Sequence, residues 1–251
     1  MGSTRLPGKV VLPLAGKPMV VQIAARLGLA RSLDGVVVAA PFGPRGQVPL
    51  YNAVLDAGLQ LVSGPEEDLI LRHLAVAEQT GADAICRITG DCALVDPAVV
   101  DLVVTAWRQH GGDYCSNIFP RRHWPDGLDV EVISRPALEA LNRMTGAKSW
   151  LSAYDAREEL TRTFWERPGL FRVHGVVREA DGLDRLQWSV NTPEEYRGAQ
   201  IVYDTLEPGF SWQQVLQEFG PMSLSEIAEL ERLRNATRLI GRLSEHRHPF
   251  A

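Results

Sequence analysis

The segment GSTRLPGK, residues 2–9, joins small residues to two cations, Arg5 and Lys9. Glycine lets backbone N–H groups approach an anion closely, and the hydroxyl groups of Ser3 and Thr4 add two donors. The two cations can balance charge on phosphate oxygens. The segment therefore predicts a loop that binds a triphosphate, although an ordinary basic surface loop has the same composition and the spacing is not that of GxxxxGK[ST].

A second group of polar residues follows an apolar run in RITGDCALVDP, residues 87–97. If this run is a buried strand of a parallel sheet, Asp91 lies at its carboxyl end, where such sheets bind ligands. Mg²⁺ prefers a few protein oxygens and keeps several waters, so we expect Asp91 to be a metal ligand. The alternative is an aspartate that caps a helix or closes a turn, a role that Asp96 before Pro97 fits better.

Three carboxylates lie close together in WPDGLDVEV, residues 124–132. Asp129 and Glu131 are two apart, so they share one face of a strand, and Asp126 precedes them in a DG turn. Carboxylates in such a row can accept hydrogen bonds from sugar hydroxyls. The outer, solvated face of a strand would have the same pattern.

The segment LQWSVNTPEEY, residues 186–196, predicts a strand followed directly by a helix. Thr192 suits the N-cap and Pro193 the first helical position. Asn191 then follows the strand, as Asp91 does in its own segment. Its alternative role is to cap the helix only.

The elements that must position these residues alternate along the chain between short β-branched runs and helical segments. This alternation predicts an α/β architecture with a doubly wound, mostly parallel sheet flanked by helices. We expect one domain over residues 1–222, with a protruding antiparallel segment at about 113–177, followed by a charged amphipathic helix within 223–251. Strands are predicted at 36–40, 59–62, 84–88, 128–134, 171–177 and 186–190.

Composition limits the classes of function. The 26 basic and 31 acidic residues give a net charge of −5, which argues against sequence-independent nucleic-acid binding. The three cysteines lack the spacing of a metal site and predict reduced thiols in a cytoplasmic protein. No apolar run reaches the length of a membrane-spanning helix.

Five blocks of the sequence, taken in order, resemble the cytidylyltransferase family that activates acidic sugars, and in particular its spore-coat-polysaccharide branch. The blocks are MGSTRLPGKVVLPLAGKPM, GPEEDLILRH, RITGDCALVDP, PDGLDVEV and VNTPEE, and the resemblance extends from Met1 to about Tyr203. It implies a Rossmann-like nucleotide-diphospho-sugar transferase fold. It also implies transfer of CMP from CTP to a small acidic sugar, like those of the acylneuraminate and ketodeoxyoctulosonate synthetases, with release of pyrophosphate and help from Mg²⁺, in surface polysaccharide biosynthesis.

The resemblance also implies a role for each candidate residue. The catalytic residues would be Arg5, Lys9 and Asp91. The nucleotide would be bound by Gly2, Ser3, Arg5, Lys9, Arg72, Thr89 and Gly90. The acceptor sugar would be bound by Asp126, Asp129 and Glu131, and the metal by Asp91 and Asn191. The segment at 113–177 resembles the dimerisation and acceptor region of the family, so a homodimer is expected.

The chain departs from the family pattern at several points. Asn191 stands where the family carries aspartate, which weakens Mg²⁺ binding because an amide oxygen brings no charge. Ala93 replaces a proline, and Glu159 replaces a frequent histidine on the acceptor side. Members of the family also begin with an apolar strand before the position of Met1. We expect a start assigned too far downstream, or a trimmed chain, and two neighbouring strands with unpaired edges.

These departures leave two alternative functions beside the cytidylyltransferase. One is a catalytically weak or inactive homologue that binds a nucleotide or sugar. The other is a different nucleotidyltransferase or a nucleotide-sugar glycosyltransferase, because one fold serves several such reactions.

Overall fold

The computed structural model describes residues 4–43, 47–146, 157, 160–167 and 169–245. It has the predicted α/β character, with helices and strands alternating over much of the chain. The strands are β1 (Pro13–Leu14), β2 (Lys17–Pro18), β3 (Val37–Pro41), β4 (Gln60–Gly64), β5 (Ala84–Arg87), β6 (Tyr114–Ser116), β7 (Glu131–Ser134) and β8 (Val173–Gly175). The α-helices are α1 (Met19–Leu27), α2 (Val48–Asp56), α3 (Leu69–Thr80), α4 (Pro97–His110), α5 (Arg135–Gly146), α6 (Arg162–Glu166), α7 (Pro193–Thr205), α8 (Trp212–Phe219) and α9 (Leu224–Glu245).

The strands pair in both parallel and antiparallel senses. β3 and β4 are parallel, as are β6 and β8. In the four-stranded sheet the order is β5-β7-β6-β8, and β7 runs antiparallel to both of its neighbours. The reason is the connection between β6 and β7, which returns to the sheet through a loop and without a crossover helix, so the two strands must run in opposite directions. This strand lies within the segment at about 113–177 that was predicted to be antiparallel.

The two larger sheets keep unpaired edges. Within the residues that the structure describes, β3 and β4 pair only with each other, and β5 pairs only with β7. All four residues of β5 are partly exposed, whereas all four residues of β7 are buried. Unpaired edges were predicted for two strands of the sheet, and β5 has such an edge.

The predicted strand at 186–190 is wrong, because the segment is extended but forms only one isolated parallel bridge, between Asp126 and Gln187. Trp188 N–H donates to the Asp126 carbonyl at 2.6 Å, and the ladder stops there. The partner of this segment is a turn, in which Gly127 has a φ of 110°. A Cβ atom at Gly127 would lie 2.6 Å from the backbone nitrogen of Ser189, so the two segments approach this closely only with glycine at that position.

The main hydrophobic core lies directly beneath the polar segments predicted to do chemistry. Trp188 is fully buried, and its indole N–H donates to the Met222 carbonyl at 2.8 Å. Cys92, Leu128 and Val190 belong to the same core, and each follows or precedes a candidate polar residue in the sequence. The apolar packing therefore fixes the backbone from which the candidate side chains project.

The C-terminal helix α9 packs against α7. A Cβ atom at Gly198 of α7 would lie 2.0 Å from the carbonyl oxygen of Leu224, so the two helices touch through backbone atoms. Leu224 and Ile227 are buried in the main core. The amphipathic helix predicted after residue 222 is present. Among the described residues, no helix combines the length and apolar character needed to cross a membrane.

Candidate active site

Three segments that are distant in the sequence meet at the ammonium group of Lys9. Lys9 begins a single 3-10 turn, Lys9–Val11, and its Nζ donates to Asp91 Oδ2 at 3.1 Å. The same atom donates to the Val190 carbonyl at 2.8 Å and to Asn191 Oδ1 at 2.9 Å. An ammonium group has three donors, so these three oxygens satisfy it. The Lys9 side chain is only 12% exposed.

Asp91 is held from two sides. Thr89 Oγ1 donates to Asp91 Oδ1, while Lys9 contacts the other carboxylate oxygen. Val190 N–H donates to the Asp91 carbonyl at 2.9 Å, which joins the two segments through their backbones. Burial raises the pKa of Asp91, but the hydrogen bond from Thr89 and the charge and hydrogen bond of Lys9 outweigh it. The pKa of Asp91 therefore lies below its ordinary value, and the group is a carboxylate at neutral pH.

The orientation of Asn191 is set by its neighbours. Its Nδ2 donates to Ser189 Oγ at 2.9 Å, which turns its Oδ1 toward Lys9. Its backbone N–H donates to Glu195 Oε2 at 2.6 Å. Glu195 belongs to a capping box with Thr192 at the start of α7, so the predicted helix cap is confirmed and Asn191 precedes it.

The glycine at position 90 allows the basic loop to approach the end of β5. A Cβ atom at Gly90 would lie 3.1 Å from Cγ1 of Val10, the residue after Lys9. Arg5 and Thr4 are exposed in the described part of the loop. Gly2 and Ser3, which were also assigned to the nucleotide, lie outside the described residues.

A second pair of opposite charges lies beside the first site. Arg122 grips Asp129 with two hydrogen bonds, of which Nη2 to Oδ2 measures 2.8 Å. Burial raises the pKa of Asp129, and the bonds from Arg122 oppose that shift without cancelling it. Asp126 lies 3.8 Å from Arg122 and keeps a side chain that is 37% exposed.

Glu131 is the most enclosed of the predicted sugar-binding residues, at 3% exposure. Arg87 is its cross-strand partner in the β5–β7 pairing and donates to Glu131 Oε2. The Tyr114 hydroxyl donates to Glu131 Oε1 at 2.6 Å. Burial and the adjacent Glu131 charge raise the pKa of Tyr114, so its hydroxyl keeps the proton that it donates.

The Lys9–Asp91 pair and the Arg122–Asp129 pair both lie near the thiol of Cys92. Burial raises the pKa of Cys92, and the charges of Asp91, Asp129 and Asp126 raise it further, so all three carboxylates lie within electrostatic range of one atom. Asp91, predicted for the metal, and Asp126 and Asp129, predicted for the sugar, therefore lie around Cys92, whereas Glu131 is enclosed between Arg87 and Tyr114. Glu159, the other departure on the acceptor side, lies outside the described residues.

Arg72 lies on α3 and packs beneath the end of β4. A Cβ atom at Gly64 would lie 2.8 Å from the Arg72 Cα atom, and the Arg72 side chain donates to the Glu66 carbonyl at 3.4 Å. Burial lowers the pKa of Arg72, and the charge of Arg87 lowers it further. This places Arg72 within electrostatic range of the Arg87–Glu131 pair, and its predicted contact with the nucleotide stays a prediction.

Sequence analysis missed the cations Arg87 and Arg122 and the hydroxyl groups of Tyr114 and Ser189. The alternation of β5 and β7 contains a signal for Arg87, because correct register alone puts it opposite Glu131. The sequence has no comparable signal for Arg122. Among the described residues, no cluster of three or more His, Cys, Asp or Glu side chains could hold a metal ion.

Two solved structures share the fold. A cytidylyltransferase from Leptospira borgpetersenii superposes with a TM-score of 0.76 at 27% identity, covering 87% of this chain and 90% of that one. A CMP:2-keto-3-deoxy-manno-octonic acid synthetase complexed with CTP gives a TM-score of 0.58 at 18% identity, a likeness of fold alone. The fold is the Rossmann-like nucleotide-diphospho-sugar transferase fold that the resemblance predicted, and it is a fold of nucleotidyltransferases.

The chain belongs to the cytidylyltransferase family, whose model matches residues 1–238. It is 26% identical to the spore coat polysaccharide biosynthesis protein SpsF of Bacillus subtilis, over 81% of this chain and 82% of that protein. It is 31% identical to an 8-amino-3,8-dideoxy-manno-octulosonate cytidylyltransferase of Shewanella piezotolerans, over 45% of this chain and 46% of that enzyme. The predicted membership of the family is confirmed.

The Lys9–Asp91 pair predicts a pH-dependent contribution to stability. Asp91→Asn should lower the free energy of unfolding at neutral pH by about 1–3 kcal/mol, because Lys9 loses its charged partner. The pKa of Asp91 is lower in the folded than in the unfolded chain. Its contribution is therefore complete above the unfolded value of about 3.9 and is lost as the pH falls through the folded value.

Urea unfolding of the native protein and of Asp91→Asn, at neutral pH and in steps below about pH 4, measures this difference. The difference should shrink as the pH falls. Asp34→Asn is the matched control, because Asp34 is fully exposed and the substitution removes only a 3.9 Å contact with Arg108. An Asp91→Asn penalty that is the same at every pH would contradict the assignment.

Proposed function

We propose that this chain transfers CMP from CTP to a hydroxyl group of an acidic sugar of the ulosonate or acylneuraminate kind, releasing pyrophosphate. The observation that carries the proposal is the joining of Lys9, from the basic loop, to Asp91 at the end of β5 and to Asn191 before α7. Two relatives support an acidic sugar as the acceptor, since their names refer to an octulosonate cytidylyltransferase and to spore coat polysaccharide biosynthesis.

The nucleotide side of the reaction uses the basic loop. Arg5 is exposed in the middle of this loop and Lys9 is its last residue, so both can meet a triphosphate that carries several negative charges. In the transfer, the sugar hydroxyl loses its proton to water, the bond from its oxygen to the α-phosphorus forms, and the bond from that phosphorus to the pyrophosphate oxygen breaks. Such chemistry needs positioning and charge stabilisation more than a covalent nucleophile.

The donor set at Lys9 fits a magnesium ion that is held by one charged ligand. Asp91 is ionised and Asn191 turns an amide oxygen to the same point, a combination of oxygen donors that Mg²⁺ accepts when phosphates and water complete its shell. Asp91 and Asn191 would therefore hold the ion. Once bound, it would add positive charge on the phosphate oxygens.

The acceptor side presents arginines as well as carboxylates. Asp129 accepts hydrogen bonds from Arg122, and Glu131 accepts a hydrogen bond from Arg87. We infer that these two carboxylates orient the guanidinium groups, and that the guanidinium groups bind the carboxylate of the acidic sugar. Asp126 keeps exposed oxygens that can accept from sugar hydroxyls.

The proposed reaction is tested by pyrophosphate release from CTP, with UTP and GTP as alternative nucleotides, in the presence of Mg²⁺ and a set of ulosonates and acylneuraminates. Release with CTP and an acidic sugar is the expected result, and Asp91→Ala should reduce it by at least about 100-fold because the metal loses its charged ligand. Release with UTP or GTP alone would favour a different nucleotidyltransferase. No turnover and no binding of any nucleotide would contradict the proposal.

The acceptor assignment predicts a selective kinetic effect. Arg122→Leu should raise the KM for the acidic sugar by about tenfold or more, while the KM for CTP stays near the native value. Arg122→Lys keeps the charge and should recover part of the loss. The matched control is Arg121→Leu, because Arg121 is an exposed neighbour that lies 3.9 Å from Asp184. A rise in the KM for CTP alone would contradict the assignment.

We also propose a cytoplasmic homodimer. All three cysteines are free, which is typical of a reducing compartment. Three exposed apolar side chains, Trp165, Leu170 and Val177, lie within the segment at 113–177 that was predicted to dimerise. Light scattering should give twice the chain mass, and Leu170→Glu should give the monomer. Leu233→Glu on α9 is the control, and a native monomer would contradict the proposal.

A further inference from the structure

We propose that Lys9 acts as an internal cation. In the free protein its ammonium group occupies the position of a divalent metal between Asp91 and Asn191. The ammonium group leaves that position only when a metal–nucleotide complex arrives. The inference rests on the proposed function for the identity of the incoming complex. Its structural basis is the set of three oxygens around Lys9 Nζ, at 2.8 to 3.1 Å.

The three contacts leave the ammonium group with no free donor. A phosphate oxygen can bind Lys9 only by replacing at least one of them. Each of the three oxygens is itself held in place, since Thr89 donates to Asp91, Ser189 accepts from Asn191, and Val190 is bonded through its N–H to the Asp91 carbonyl. The oxygens form a fixed cradle, and the flexible partner is the lysine side chain.

The charges in the cradle explain why a metal alone would bind weakly. Asp91 contributes one negative charge and Lys9 one positive charge, while Asn191 contributes none. A divalent cation that enters beside the ammonium group meets a carboxylate, Asp91, whose charge Lys9 already balances. The ammonium group also repels the cation at close range. With the single carboxylate already paired, the ion gains too little to displace the lysine.

A metal–nucleotide complex changes this balance. Its triphosphate offers anionic oxygens to Lys9 at the moment when its metal offers a positive charge to Asp91, so both protein charges remain paired after the exchange. Metal and nucleotide should therefore bind together, each strengthening the other. Asn191 makes metal binding depend more strongly on the nucleotide, because a second carboxylate at that position would hold a metal beside Lys9 in the absence of nucleotide.

The test uses Mn²⁺ alone as the probe, with free Mn²⁺ measured by its electron paramagnetic resonance signal and no nucleotide or sugar present. Lys9→Met removes the charge and keeps most of the side-chain length, so it should tighten Mn²⁺ binding by about tenfold or more. Lys17→Met is the matched control, because it removes the same charge from an exposed position on β2 and should bind Mn²⁺ as the native protein does. Equal or weaker binding by Lys9→Met would overturn the inference.

A second set of variants locates the effect. Adding Asp91→Asn to Lys9→Met should abolish the gain, whereas adding Asn191→Asp should increase it, because the first removes and the second adds a charged ligand. Lys9→Gln serves if Lys9→Met does not keep the native circular dichroism spectrum, and the same gain is expected. A gain that survives Asp91→Asn would place the ion elsewhere and overturn the inference.

The readout separates this inference from the proposed function. Tighter Mn²⁺ binding in Lys9→Met, without CTP turnover in the native protein, would leave the internal cation in place and remove the proposed reaction. Turnover of CTP with no change in Mn²⁺ binding would do the opposite.

Discussion

The ammonium group of Lys9 joins parts of the chain that no local structure connects. Its partners Asp91 and Asn191 are 82 and 182 residues away in the sequence. The backbone bond from Val190 N–H to the Asp91 carbonyl fixes the two distant partners relative to each other, and the ammonium group then closes the basic loop onto them. The side chain is mostly buried, so the ion pair forms where water screens it little. The location of the basic loop depends on this contact.

A second constraint is that the two most enclosed carboxylates predicted to bind sugar each have an opposite charge beside them. Asp129 is paired with Arg122, and Glu131 with Arg87 and the Tyr114 hydroxyl. Removing water from an unpaired carboxylate costs several kcal/mol, so residues as enclosed as Glu131 require such partners. Pairing also fixes the direction in which each guanidinium group points. Asp129 and Glu131, which were predicted to bind sugar, thus have a structural role that the motif alone did not reveal.

The sequence was sufficient to select candidate residues that stand out by their local pattern. Lys9 follows from the basic, glycine-containing loop, Asp91 from the end of an apolar run, and Thr192 from helix-capping rules. It was insufficient where pairing depends on distant segments. The irregular stretch at 186–190 depends on the close packing against Gly127, a contact that no local pattern reveals. The sequence was also insufficient for Arg122, because this residue lies in a loop and no periodic pattern points to it.

The replacement of aspartate by Asn191 has different consequences in the sequence and in the structure. On composition alone it removes one charged ligand and weakens metal binding. In the structure, Asn191 also accepts a hydrogen bond from Lys9, donates to Ser189, and lies directly before the capping box of α7. An aspartate there could not donate to Ser189 through its side chain. The amide thus keeps its hydrogen bonds to Lys9 and Ser189 while adding no charge to the Lys9–Asp91 pair, so the replacement removes a charge without breaking the network of hydrogen bonds.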